Sequence, residues 1–446
     1  MTLNEIRSKI ENKSARLAVI GLGYVGFPVA CEFARAGYNV VGIDLQAERV
    51  RKINAGVSPI VGREPGLEEL TTEVVFAGRL QAMNDYKRLA DRDVILICVE
   101  TPVDESHNPN YRALRGALRS LGAVMRAGTL VVVESTIAPG TMRDVVLPGL
   151  EQSSGMRLNE GFYLGHCPER VMPGKLLANI RSVDRVAGGM TPETAEAMRL
   201  LYSKIVQAEI DVADCITAEL VKTVENAYRD VQIAFANEVA MICERVGGDV
   251  WKVRELVNKS PGRMMLMPGA GVGGHCIPKD PWLLASSVAK DGTTLQVIPA
   301  ARAVNSGMPQ HIGELLLLAL EEAGVELIQA RILVMGYAYL EDSDDTRNSP
   351  SAALLDYLGG KVGQILVHDP YVNRHQGDLL EKARGCDAVV VMVKHSEYRS
   401  LELAQLGEGM RRRLLLDGRA TYGREQAEAA GFRYWGVGVA KGRIEP

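Results

Sequence analysis

The sequence predicts an α/β protein: two doubly wound units joined by a long central helix in an all-α middle segment. Short Val/Ile/Leu runs alternate with helical stretches from Arg16 to near residue 200, and again from Ala330 onward. The runs are continuous rather than alternating, which is the pattern of parallel strands covered on both faces. Between them, Ala213–Gly247 has no proline and no internal glycine, and its apolar residues recur at helical spacing.

In chain order, Leu17–Ile20 reads as a strand, PVACEFARAG as a helix ending at Gly37, and Asn39–Asp44 as the next strand. Asp93–Glu100 and Thr129–Ser135 read as further buried strands. From about residue 205 to 325 the strand signals are lost. The central helix would run ~50 Å at 1.5 Å per residue, long enough for a spine between two lobes and a dimer interface. Ala330–Tyr339, Gln364–Val372, Asp387–His395 and Arg412–Ala420 supply strands for the second unit.

Composition narrows the class. The 446 residues are 47% hydrophobic and 24% charged, a globular balance. Lys plus Arg number 51 against 55 Asp plus Glu, a net charge of -4, so neither nucleic acid nor an anionic membrane is expected as partner. No apolar run approaches the ~20 residues of a membrane span, and the polar N-terminus lacks the apolar core of a secretory signal. Seven scattered cysteines without a C-x-x-C pair argue against a disulfide framework and structural zinc. The expectation is a reduced, cytoplasmic protein with no bound metal.

Two stretches carry chemistry. Gly21-Leu22-Gly23-Tyr24-Val25-Gly26 is G-x-G-x-x-G between a strand and a helix, where the glycines allow a tight turn against a pyrophosphate. Asp44 ends the next strand, where a carboxylate accepts from ribose hydroxyls and repels a 2′-phosphate, which favours NAD over NADP. The second α/β unit has only Gly336-Tyr337-Ala338-Tyr339 at the matching turn, so one dinucleotide site is expected. In the other stretch, Gly271–Pro281, a glycine-rich loop presents Cys276 before a helix-compatible run, a setting that favours a nucleophilic thiolate. Asp280 follows four residues on. The alternative is an inert buried thiol. On the central helix, Lys222 and Asn226 share a face with Glu219 nearby, able to hold a developing oxyanion or simply forming a solvated polar stripe. Glu169 reads equally as a base or a surface charge.

GLGYVG, ESTIAPGT, HCPERVMPG, ELVKTVENAYRD, GVGGHCIPKDP and DDTRNSPS occur in this order. In that order and from about Arg16 to the C-terminal region, the chain resembles the UDP-glucose/GDP-mannose dehydrogenase family. The resemblance implies an NAD-binding Rossmann domain over 1–200 and a helical dimerisation domain with catalytic residues over 201–327. A Rossmann-like UDP-sugar-binding domain would follow over 328–446. It implies a four-electron oxidation of a sugar C6 alcohol to the acid, using two NAD. By motif, Cys276 would trap the aldehyde as a thiohemiacetal and then carry a thioester. Lys222 would stabilise the oxyanion with Asn226 beside it, Asp280 would assist water, Glu169 would act as base and Thr136 would place the water. Gly21, Gly23, Tyr24, Val25, Gly26, Asp44, Arg49, Thr101 and Thr136 would hold NAD. Gly273, Arg347 and Arg419, with Glu169, Lys222 and Asn226, would meet the nucleotide sugar.

Two departures stand out. Leu340 lies near a position where the family often has lysine, and Arg263 sits about one residue from the arginine of related N-acetylhexosamine enzymes. HCPERV and GGHCIP resemble UDP-N-acetylmannosamine and UDP-N-acetylglucosamine 6-dehydrogenases, whereas PKDP resembles UDP-glucose enzymes. A UDP-N-acetylhexosamine is therefore the expected substrate, with UDP-glucose or a dTDP-sugar as alternatives. More distant readings are a two-electron β-hydroxyacid-type dehydrogenase, which needs neither Cys276 nor a third domain, and a nonenzymatic NAD sensor.

Overall fold

The computed structural model describes residues 1–62, 64–289 and 292–439. They form two compact units: Met1–Glu225 with the described part of Trp282–Thr293, and Asn226–Pro281 with the described residues from Thr294 on.

In the first unit the strands are β1 (Arg16–Ile20), β2 (Asn39–Ile43), β3 (Leu80–Met83), β4 (Val94–Ile97), β5 (Thr129–Val133), β6 (Phe162–His166), β7 (Arg185–Gly189) and β8 (Ile210–Asp214). Their order across the sheet is β3-β2-β1-β4-β5-β6-β7-β8. Side chains alternate across the pleat, so Leu17 and Val19 enter one core with Phe27 and Phe33, while Ala18 and Ile20 enter the other with Ile95 and Val131. Each fully buried Val, Leu or Ile contributes roughly 1.5–3 kcal/mol relative to exposure. Two covered faces explain why these strands read as unbroken apolar runs.

The sheet departs from the expected plan at its far edge. β6 and β7 are antiparallel, and β8 extends the sheet past residue 200, inside the stretch where strand signals were lost. β8 has the sequence IDVAD and no fully buried residue, so it lacks the apolar signature of an interior strand.

The second unit has a five-stranded sheet of β9 (Arg331–Met335), β10 (Gln364–His368), β11 (Ala388–Val391), β12 (Leu414–Asp417) and β13 (Arg433–Gly436), ordered β10-β9-β11-β12-β13 and all parallel. Ile332 and Val334 face one core, Leu333 and Met335 the other.

The central helix is Cys215–Val246, 32 residues, hence about 48 Å long. It begins where the Asp214 carboxylate accepts from the Thr217 amide at 2.7 Å and is followed by Gly247 at φ 84°. A side-chain cap and a left-handed glycine are the expected start and stop. Further along it, buried Asp230 accepts from Arg302 Nη1 at 2.5 Å and from Asn305 Nδ2 at 2.7 Å, on the helix Val297–Glu322. No described helix is long and apolar enough to cross a membrane.

Candidate active site

The turn after β1 has the three properties a dinucleotide requires. Gly21 lies at φ +92°, and a Cβ there would come within 2.7 Å of the Cys98 carbonyl oxygen. A Cβ on Gly26 would meet the Gly21 oxygen at 2.0 Å, so this glycine lets the helix Gly26–Arg35 close on the strand. Gly23 faces open space, with nothing within 4 Å of its would-be Cβ. Backbone here is bare where a pyrophosphate approaches, at the N-terminus of a helix. Val25 directly precedes that helix and accepts from the Val29 amide at 3.2 Å, while the Tyr24 hydroxyl donates to the Val61 carbonyl at 2.7 Å.

Asp44 is buried at the end of β2, and its Oδ2 accepts from the Leu22 amide at 2.9 Å and from Arg49 Nη1 at 2.8 Å. The acid is thus tied to the glycine turn itself. β1 lies between β2 and β4, the point where strand order reverses and a crevice opens at the strand ends. Beyond it, the Thr101 hydroxyl donates to the Thr136 carbonyl at 2.6 Å, and Ser135 Oγ to the Val99 carbonyl at 2.6 Å, locking the loops after β4 and β5 together. The Thr136 hydroxyl makes no hydrogen bond among the described residues.

Glu219 and Lys222 have separate tasks. Both Glu219 oxygens accept backbone amides, from Gly140 at 2.8 Å and Met142 at 2.7 Å, fastening the segment after Thr136 to the central helix. Burial raises its carboxyl to about 7, opposed by those amides. Lys222 is buried, and its ammonium has no hydrogen-bond or ion partner among the described residues. Glu169 is also buried; it accepts from the Arg170 amide at 2.8 Å and forms an ion pair with Arg185. The Arg170 side chain reaches Glu225, on the central helix, and the Asp184 carbonyl.

In the second unit, Cys276 is exposed, and its carbonyl accepts from the Lys279 and Asp280 amides at 3.1 and 2.8 Å. The helix Asp280–Ser286 begins on that turn. Cys276 is the one exposed cysteine of the seven: Cys98 is half-buried and the other five are buried. Burial pushes the pKa of the remaining six thiols up, to about 12 for Cys167 and Cys215 and about 11 for Cys386. Asp280 is fully buried; it accepts from Asn226 Nδ2 at 2.5 Å and pairs with Lys279 at 2.7 Å. The amide of Asn226 is therefore committed to a carboxylate.

The glycines ahead of Cys276 serve packing. A Cβ on Gly273 would meet Tyr339 Cβ at 2.5 Å and the Asn348 carbonyl oxygen at 2.7 Å, and one on Gly274 would meet the Tyr339 ring. Asn348 Nδ2 donates to the Gly274 carbonyl at 2.9 Å, and Arg419 Nη2 to the Gly271 carbonyl at 2.9 Å. At Gly273 the face a side chain would occupy is filled by protein. Arg347 pairs with Asp345, half its side chain in solvent. Leu340 is half-buried, and Arg263 is exposed.

Such a turn, with its acid, makes the first unit a dinucleotide-binding domain, and the class of protein is a dehydrogenase. Models of the UDP-glucose/GDP-mannose dehydrogenase family match at residues 15–206 (NAD binding domain), 216–307 (central domain) and 333–424 (UDP binding domain). The chain belongs to this family of NAD-dependent nucleotide-sugar dehydrogenases. A UDP-N-acetyl-D-mannosamine dehydrogenase of Pyrococcus horikoshii is 38% identical over 423 residues, 95% of this chain and 99% of its own. The structure of a UDP-D-ManNAc dehydrogenase from that organism superposes with a TM-score of 0.90 over the same shares. An NDP-N-acetyl-D-galactosaminuronic acid dehydrogenase of Methanosarcina mazei is 35% identical with a TM-score of 0.85, covering 98% of each chain. A UDP-glucose dehydrogenase of Pyrobaculum islandicum is 28% identical with a TM-score of 0.85, covering 96% of this chain and 98% of its own.

The buried Arg185 and Glu134 escaped the sequence reading. Their one signal was a charge at the end of an apolar strand, in VVVES and DRVAGG.

Proposed function

We propose that the protein oxidises the C6 alcohol of a UDP-N-acetylhexosamine, UDP-N-acetyl-D-mannosamine first, to the uronic acid through a covalent intermediate on Cys276. The observation that carries the reading is the accessibility of this thiol where the other six are buried or half-buried. The acetamido sugar is favoured by the similarity, at 31–38% identity across most of the chain, to enzymes named for UDP-N-acetyl-D-mannosamine. UDP-glucose is the second reading, and a dTDP-sugar the third.

Gly21, Gly23, Gly26, Asp44, Arg49 and Thr101 would hold NAD, which would supply the two-electron hydride acceptor for each of two oxidations. The first gives the C6 aldehyde. The Cys276 sulfur then adds to the aldehyde carbon, forming a C–S bond while the oxygen takes a proton. Oxidation of this thiohemiacetal gives a thioester. Water adds, the C–S bond breaks, and the sulfur leaves to recover its proton. Overall, one alcohol, one water and two NAD give one carboxylate, two NADH and three protons. The uncommitted Lys222 ammonium stabilises negative charge developing on the C6 oxygen. Glu169 takes the proton of the attacking water, which Thr136 orients. Asp280 steadies the turn beneath Cys276 through Asn226. Arg347, Arg419 and the Gly273 loop serve the nucleotide sugar.

A homodimer forms through the central helix. Ile216, Leu220, Val224, Tyr228, Phe235, Ile242 and Val246 are exposed along it at spacings of four and seven, an apolar stripe on one face. We assign the protein to the cytoplasm, because the reaction needs Cys276 kept reduced.

The test is an NAD-reduction screen over UDP-N-acetylmannosamine, UDP-N-acetylglucosamine, UDP-glucose and dTDP-glucose, with NADH counted per sugar. Two NADH per acetamido sugar is expected. One NADH with an aldehyde or ketone product sinks the mechanism, and binding without turnover on every sugar revives the NAD sensor. Tyr228→Glu with Phe235→Glu should halve the mass seen by light scattering; an unchanged mass rejects the helix as the dimer interface.

A further inference from the structure

Behind Glu169 lies a closed group of charges that the reaction above does not use. Arg185, the first residue of β7, is buried and forms an ion pair with Glu169, yet none of its side-chain nitrogens makes a well-formed hydrogen bond. Glu134, directly after β5, is equally buried. Its Oε1 accepts from the Tyr202 hydroxyl at 2.5 Å and its Oε2 from the Cys98 thiol at 3.2 Å. The Tyr202 ring centroid lies 5.1 Å from the Arg185 guanidinium carbon.

The nearest further charges belong to Arg170, whose amide donates to Glu169 and whose side chain turns away to Glu225 and the Asp184 carbonyl. Cys98 after β4, Cys167 after β6 and Tyr202 at the end of the helix Pro192–Tyr202 all have their ionisation suppressed by burial. His166 on β6 is bonded through Nδ1 to the Val133 carbonyl at 2.8 Å and is pushed down to about 4 by burial, so it is neutral. The guanidinium thus pairs with Glu169 and lies over the ring of Tyr202, whose hydroxyl donates to Glu134. Burial raises Glu134 to about 7; the Arg185 charge opposes this and the Glu169 charge adds to it. An ion group this deep is held at a large desolvation cost, and an apolar filling of the same volume is commonly no less stable.

We propose that Arg185 and Glu134 are positioning residues for Glu169: Arg185 aims its carboxylate through the ion pair, and Glu134, tied to the same buried group through Tyr202, sets how much of the Arg185 charge Glu169 receives. This rests on Glu169 being the base of thioester hydrolysis. A neutral Glu134 leaves the guanidinium to Glu169, whereas an ionised Glu134 competes for it and repels the Glu169 carboxylate. The pair thus acts on the hydrolytic step and leaves cofactor binding alone.

The experiment uses the full chain with NAD and its nucleotide sugar, comparing Glu134→Gln, Arg185→Lys, Arg185→Met and Glu169→Gln. Glu134→Gln keeps the shape of the side chain but not its charge, so the acid limb of the kcat profile should move to lower pH by about one unit. Arg185→Met should move that limb upward and slow acid formation at least tenfold, with a sugar adduct accumulating on Cys276 in intact-mass spectra. Arg185→Lys should recover part of that loss, which a merely structural role does not predict. NAD affinity should be unchanged in all four variants, which reports that the first unit is folded. Should Arg185→Met fail to fold, Glu134→Gln and Arg185→Lys still decide. If Glu169→Gln accumulates the adduct while Glu134→Gln and Arg185→Lys both keep the wild-type profile, this inference falls and the base survives. If Glu169→Gln turns over at the wild-type rate with no adduct, the base falls and this inference falls with it.

Discussion

The side-chain amide of Asn226 donates to the Asp280 carboxylate at 2.5 Å, fixing the turn that carries Cys276 to the central helix. Asp280 is fully buried, so the charge depends on this bond and on its ion pair with Lys279. Replacing Asn226 by alanine removes a hydrogen bond to a buried charge, worth about 2 kcal/mol. Asn226→Ala should lower the thermal midpoint by several degrees and reduce kcat more than it raises the KM for sugar. A fall in sugar affinity at unchanged kcat and stability would contradict this.

Asp44 both closes the glycine turn and restrains Arg49. Asp44→Ala removes the carboxylate expected to accept from ribose hydroxyls and frees the Arg49 guanidinium paired with it. NAD use should fall at least tenfold in kcat/KM, while the ratio of NADP to NAD use rises. Steady-state kinetics with both cofactors checks this, and an unchanged ratio would place the ribose elsewhere.

Because six cysteines are buried or half-buried, limiting iodoacetamide should alkylate Cys276 first. Peptide mass spectra should show one adduct at the point where activity is lost, with NAD binding retained. Cys276→Ala should likewise bind NAD and form no acid. Loss of activity that tracks alkylation of a different cysteine would remove Cys276 from the reaction.

Gly273 has no room for a methyl group against Tyr339 and Asn348. Gly273→Ala forces the loop or the second sheet to shift, a strain of about 1–3 kcal/mol. Thermal unfolding should show the loss, and turnover should fall because the Cys276 turn follows directly. A stable, fully active variant would show that the loop has slack.

Glu219 gives a pH prediction with a definite sign. Its folded value, about 7, lies above the ordinary carboxylate value, so between pH 4.5 and 7 the native protein holds a proton that the unfolded chain has released. This group therefore subtracts stability as pH rises through that window, and its neutral form is the favoured one below it. Glu219→Gln, permanently neutral, should lose less stability than the wild type between pH 5 and pH 7.5. Parallel melting curves across that range would refute the assignment.

Much of the fold was legible because burial on both faces leaves a plain mark. The unbroken runs at Leu17–Ile20 and Ala388–Val391 read as interior strands, and the proline-free stretch ending at Gly247 as a long helix. β8 was not legible, since an edge strand with the sequence IDVAD carries no apolar period. The pairing of Asn226 with Asp280, 54 positions apart, was equally hidden.

The order of motifs in the chain was enough to determine the family and the cofactor, because glycine turns and short motif segments are local and their spacing survives in the sequence. Only the tertiary structure decided which polar groups are committed. It gave Asn226 to Asp280, filled the space at Gly273, and closed Glu134, Arg185 and Glu169 into one buried group. The physical reason is that desolvation acts on a group through everything packed around it, and those neighbours come from strands and helices far apart in the chain.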